Sequence, residues 1–91
     1  MNEAVIKACK AYVNQGDLAG LMTYYGQVRD HDFGYNLNWE YIYHRIYLHA
    51  CLKKKQDIAD WLTSIFSSFD IVSQAGLRQI FPYGRYLLAK G

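Results

Sequence analysis

The sequence predicts an all-α fold of about five to six helices, arranged as stacked antiparallel helix-turn-helix hairpins. Three observations predict it. Apolar residues recur at three-four spacing along almost the whole chain, capping residues and a glycine punctuate that spacing, and no segment alternates with the two-residue period of a strand.

The first helix places Ala4, Val5, Ala8, Cys9, Tyr12 and Val13 on one face. Asn14-Gln15-Gly16 interrupts the pattern, and Gly16 suits the left-handed backbone that follows a helix end. Asp17 is then a natural N-cap for a second helix with Leu18, Leu21, Met22 and Tyr25 on one face, ending near Val28. The first hairpin thus covers residues 2–28. Arg29 to Asn36 is a loop rich in turn formers. Asn36 or Asn38 caps a third helix from about Trp39 to Lys53. Arg45-Ile46-Tyr47-Leu48 is β-branched and aromatic but lies inside that helical period.

Asp57 is expected to cap a fourth helix that buries Ile58, Trp61, Leu62 and Ile65, with Phe66 and Phe69 at its flank. The second hairpin therefore covers residues 38–69. Asp70 or Ser73 caps a fifth helix holding Val72, Leu77, Ile80 and Phe81. Pro82 ends or kinks it, because proline lacks a backbone donor and clashes with the preceding turn. A short helix from Tyr83 to Lys90 completes C-terminal helices over residues 71–90. All of this fits a single domain, 1–91.

Sliding the chain by forty residues aligns the hairpins: Asp17 falls on Asp57, Leu18 on Ile58, Ala19 on Ala59, Leu21 on Trp61, Met22 on Leu62 and Thr23 on Thr63. A two-helix hairpin cannot bury its own apolar face, so such units stack. The third helix is apolar around nearly its whole circumference, as the middle of a stack must be.

At that junction a resemblance enters. Leu48-His49-Ala50-Cys51-Leu52, the polar turn Lys53-Lys54-Lys55-Gln56, and Asp57-Ile58-Ala59-Asp60-Trp61-Leu62 resemble an ankyrin-like Ala-Cys, turn, Asp/His-Ile-x-x-Trp-Leu pattern. Gln15-Gly16-Asp17-Leu18-Ala19-Gly20-Leu21 is similar to the same junction, and Tyr86-Leu87-Leu88-Ala89-Lys90-Gly91 to the close of a second helix. The Tyr- and Trp-rich style is most similar to the divergent ankyrin-like multigene-family proteins of large DNA viruses such as asfarviruses. The chain departs from regular ankyrin repeats in lacking Thr-Pro-Leu-His and in a unit nearer forty residues than thirty-three. What the resemblance implies is protein binding, of a host protein in antiviral signalling, in the host cytoplasm.

Composition narrows the function classes independently. The 91 residues are 52% hydrophobic and 16% aromatic, which excludes a disordered tail. A formal charge of +2 is too small to announce a nucleic acid or anionic membrane as partner. No window holds the roughly 20 apolar residues of a membrane span, and the start shows no basic-then-apolar leader. Cys9 and Cys51 lack metal or redox spacing and are expected as reduced, buried thiols of an intracellular protein.

No constellation of catalytic groups is announced. His44 and His49 lie five apart on a helix, where metal ligands need three or four. Asp30-His31-Asp32 reads as a solvated loop, and Cys51 beside His49 has no orienting acid. The sequence thus predicts neither enzyme nor cofactor. Tyrosine and arginine combine large contact area with a polar tip. Tyr24, Tyr41, His44 and Arg45, with Arg29, His31, Phe33 and Tyr35 of the loop, are accordingly the candidate protein-binding surface. A small DNA- or RNA-binding helical protein is the alternative, and an uncovered apolar end makes a homodimer a further possibility.

Overall fold

A computed structural model describes residues 1–32 and 36–90. It is all-helical, with about 80% helix and no strand among the described residues. Among the described residues, six α-helices run in the order α1 (Asn2–Gln15), α2 (Leu18–Asp30), α3 (Trp39–Leu52), α4 (Gln56–Ser64), α5 (Ile71–Leu77) and α6 (Ile80–Ala89), with a 3₁₀ turn over Phe66–Ser68.

Helix α3 is the axis of the fold. It packs against α1 on one flank, α6 on the other and α4 behind, while α2 returns along α1. The second layer is knit by Tyr25 of α2, whose ring meets Trp61 of α4 edge-on at 5.6 Å and Trp39 of α3 at 5.1 Å. Ile42, Tyr43, Ile46, Tyr47, Ala50 and Cys51 of α3 are all buried. Burying an aromatic of this size removes roughly 150–250 Å² from water, so Tyr43 and Tyr47 dominate the core. Their rings lie parallel, 6.2 Å apart. The Tyr43 hydroxyl donates to the Leu62 carbonyl at 2.5 Å, supplying a partner for one of the last carbonyls of α4.

Most expected caps are where the residue types put them. Gly16 adopts φ 68°, Asp17 accepts from the Gly20 amide at 2.9 Å, Asn38 from Tyr41 at 3.1 Å and Asp70 from Ser73 at 2.8 Å. Asp57 is a correction: α4 begins one residue before it, with Lys55 at the cap position and no side-chain cap bond. There its carboxylate sits in the first turn, favourable against the helix dipole.

The hairpin turns are built alike but not forty residues apart. Asp17 and Gly16 donate to the carbonyls of Tyr12 and Val13, and Lys55 and Lys54 donate in the same way to Ala50 and Cys51. Lys54, at φ 61°, takes the left-handed place that Gly16 holds in the first turn. Buried Val5, Ile6, Cys9 and Val13 correspond to buried Ile42, Tyr43, Ile46 and Ala50, a shift of thirty-seven residues. The forty-residue register follows residue identity in the second helices, whereas burial matches at thirty-seven residues and the turn hydrogen bonds at thirty-eight.

Two further expectations change. Pro82 begins a helix instead of ending one: it is the third residue of α6, where its missing N–H would be unpaired anyway. Ile80 and Phe81 therefore belong to α6, and α5 stops at Leu77. Val72 is 81% exposed and contributes nothing to the core. Leu18 packs against the core and Ile58 is fully buried, as the hairpin reading requires.

Gly84 lets α6 approach α3. A Cβ there would meet the Tyr47 ring at 2.4 Å. Gly84→Ala is expected to lower stability by about 1–3 kcal/mol through overpacking, read as a lower urea midpoint with an unchanged slope. Burial also pushes Cys9 from 9.0 to about 12, and Tyr25 and Tyr47 from 10.0 to about 12, and raises Tyr43. Each is neutral when protonated, and its folded value lies above its unfolded one. The stability these groups supply is complete below pH 9 and lost as pH rises toward 12. Thermal melts should therefore fall through this window, and tyrosinate absorbance should show buried tyrosines ionising only with unfolding.

Candidate interaction surface

Three sides of α3 are covered, and its fourth is open. At 100° per residue, Tyr41, His44, Arg45, Leu48 and Leu52 fall on one stripe of the helix, and none of them is among the buried residues. The buried positions of α3 occupy the opposite half. The stripe is flanked by α1 and α6, so the three helices present one continuous face to solvent.

Toward α1, the face carries an ordered polar cluster. The Tyr41 hydroxyl donates to Glu3 Oε2 at 3.0 Å, and Arg45 Nη1 donates to the Tyr41 hydroxyl at 2.6 Å. Arg45 and Glu3 form an ion pair at 3.5 Å, and the guanidinium lies 5.5 Å from the Tyr41 ring centre. A pair this exposed adds little stability, but it holds Tyr41 and Arg45 in one arrangement. Beyond it, Lys7, Lys10, Asn14 and Arg45 line the seam between α1 and α3. His49 meets Asn14 Oδ1 through Nε2 at 2.7 Å. Partial burial lowers the His49 pKa, and the nearby charges of Lys10, Lys53 and Arg45 lower it further.

Toward α6, the face turns apolar. Leu48, Leu52, Tyr83 and Leu87 line a groove of about 250 Å³, with Lys10, Arg45 and His49 at its α1 edge. Leu52 is 58% and Tyr83 53% exposed. Tyr86 stacks on Tyr83 with ring centres 6.2 Å apart.

Charge is divided unevenly over the surface. Lys7, Lys10, Arg45 and Lys53 gather on this face or within reach of His49, against Glu3 alone. Of ten bases and eight acids, that leaves six bases and seven acids elsewhere. The positive surplus of the molecule therefore lies here.

The sequence-predicted contact residues separate into two groups. Tyr41, His44 and Arg45 share the open stripe. Tyr24 and Arg29 belong to α2, and His31 follows its end, in the other layer, where all three are engaged. Arg29 donates to Ser68 Oγ at 2.9 Å and lies 4.3 Å over Phe69 and 5.9 Å from Trp39, clamping the segment before α5. Tyr24 packs on Tyr12 at 5.8 Å, and His31 Nδ1 meets the Gln27 carbonyl at 2.8 Å. Phe33 and Tyr35 lie outside the described residues. Asp32 accepts from Trp39 Nε1 at 2.9 Å and the Leu37 amide at 3.2 Å, so it organises the approach to α3.

Lys7, Lys10, Leu48, His49, Leu52, Tyr83 and Leu87 were not among the candidates. The spacing of Leu48 and Leu52 from Tyr41 and Arg45 carried a signal for two of them; the α1 and α6 residues join only through packing. Among the described residues, no group of three or more His, Cys, Asp or Glu could hold a metal, and no helix is long and apolar enough to cross a membrane. Fold and site together define a small helical protein built around one open helix face. No family model, curated protein or solved structure matches the chain.

The split between the two groups has a measurable consequence. Arg29→Ala should cost about 1–2 kcal/mol in chemical denaturation, because a ring-stacked, hydrogen-bonded cation is removed. Gln27→Ala, on an exposed position of α2, should stay within about 0.5 kcal/mol.

Proposed function

We propose that this protein is a non-enzymatic interaction module that acts by occupying a partner protein's surface through the open α1–α3–α6 face. One observation carries the reading. The least covered stripe of the central helix, among the described residues, holds Tyr41, His44, Arg45, Leu48 and Leu52, where a merely solvated stripe would hold short polar and charged groups without the leucines. Tyrosine and arginine are the residue types enriched where binding energy concentrates, and an exposed apolar groove rimmed by polar groups marks an interaction site. The resemblance of residues 48–62 to viral ankyrin-like proteins extends the proposal to a host protein met in the cytoplasm.

The cluster of Lys7, Lys10, Arg45 and Lys53 favours nucleic acid as a second reading. Salt separates the two, because phosphate contacts weaken steeply with salt whereas apolar contacts do not.

Capture from cell lysate tests the proposal when three forms are compared: wild type, the Tyr41→Ala/Arg45→Ala double variant, and Gln27→Ala on α2 as control. Proteins retained by wild type and control should drop about tenfold or more with the double variant, the loss expected when contact residues at the centre of an interface are truncated. Equal recovery by all three forms would discard the open face as the docking surface.

A further inference from the structure

We propose that the open face takes an acidic amphipathic segment of another protein. Its carboxylates would meet Lys7 and Lys10, while its apolar side chains enter the groove of Leu48, Leu52, Tyr83 and Leu87. The inference rests on the reading of this face as the docking surface and names what docks there.

The face is itself amphipathic across its width. Its α1 side is cationic, and its α6 side is lined by three leucines and a tyrosine. A complementary ligand must carry negative charge on one flank and apolar groups on the other. Glu3 is the lone acid on this face and is held by Arg45 and Tyr41, so it leaves Lys7 and Lys10 for the ligand. The stripe from Tyr41 to Leu52 spans about 16 Å at 1.5 Å per residue, the length of about three turns of a ligand helix laid along it. Desolvating the groove supplies affinity, and the lysines supply steering and orientation.

A nucleic acid fits less well. Its bases stack on rings, whereas the groove is lined mainly by aliphatic side chains, and Glu3 would face the phosphates. A second copy of the chain fits less well too. Asp17 and Asp70 cap helices, Asp32 holds Trp39, and on α4, which carries Asp57 and Asp60, the apolar side is buried against α3.

Fluorescence anisotropy with three labelled probes tests the assignment. The probes are a synthetic amphipathic helix of about four turns with Glu along one flank and Leu along the other, the same peptide with every Glu replaced by Lys, and a single-stranded oligonucleotide. The acidic peptide should bind at least about tenfold more tightly than its charge-reversed form, the scale expected for matched against repelling charge. Lys7→Glu/Lys10→Glu should invert that preference, and Leu52→Asp should weaken the acidic peptide, with helical content unchanged in both variants. Because charge is also reversed in the probe, the comparison holds in the wild-type protein alone. Equal binding of the two peptides, binding of neither, or tighter binding of the oligonucleotide overturns the proposal. If it fails while Tyr41→Ala/Arg45→Ala still loses captured proteins, the docking face stands and only the acidic ligand falls. If that variant keeps them, both readings fall.

Discussion

The enclosure of α3 on three sides is the constraint on which the rest of this structure depends. A helix with apolar residues around most of its circumference has no stable solvated state, so α1, α4 and α6 must each contribute a wall. Tyr43 and Tyr47 set how those walls meet. Tyr43 is fully buried with its hydroxyl on the Leu62 carbonyl, and its ring meets Phe69 edge-on at 5.2 Å. Tyr47 meets Phe81 of α6 at 5.1 Å, over the space that Gly84 leaves empty. One helix thus ties together elements from both ends of the chain.

Polar contacts act where that apolar core thins out. Lys54, in the left-handed turn after α3, donates to the carbonyls of Leu87 and Lys90 at the end of α6 and lies 3.4 Å from that of Leu88. It satisfies acceptors the helix end leaves open, and its charge complements the dipole there. Arg29 similarly holds the segment between α4 and α5 through Ser68 and the Phe69 ring, and the Glu40 carboxylate accepts from Ser73 of α5 at 2.6 Å. The result is a platform whose elements are fixed at their ends as well as at their centres. A surface presented on such a platform loses little conformational entropy when it is occupied.

The same enclosure accounts for the open face. Three neighbours cannot cover all of a helix, so one stripe of α3 stays partly in solvent, with Tyr41 and Leu52 exposed and His44, Arg45 and Leu48 half-buried. Their composition shows no sign of simple solvation. Two leucines and a tyrosine stand beside an arginine, and the cationic surplus of the molecule collects around them. Every titratable core group is shifted in the direction that keeps it neutral. The charge that remains to discriminate partners is therefore all on the surface.

Local chemistry determined much of this protein in advance. Helix class, the turns at Gly16 and after Cys51, the cap at Asp17, the pairs Asn36 or Asn38 and Asp70 or Ser73 that offer the later caps, and the enclosure of the third helix follow from spacing and residue type, because hydrogen-bonding side chains and apolar periodicity act within a few residues. That Tyr41, His44 and Arg45 lie off the buried side of the third helix was legible for the same reason. Tertiary structure alone decided the rest. The thirty-seven-residue register comes from matching buried positions, which residue identity between helices does not report. Arg29 and Tyr24 fall outside the proposed contact surface because packing partners on other elements engage them. Lys7 and Lys10 joined it because α1 packs beside α3. Which helix neighbours which is set by long-range burial, and a face assembled from three helices exists only after that choice is made.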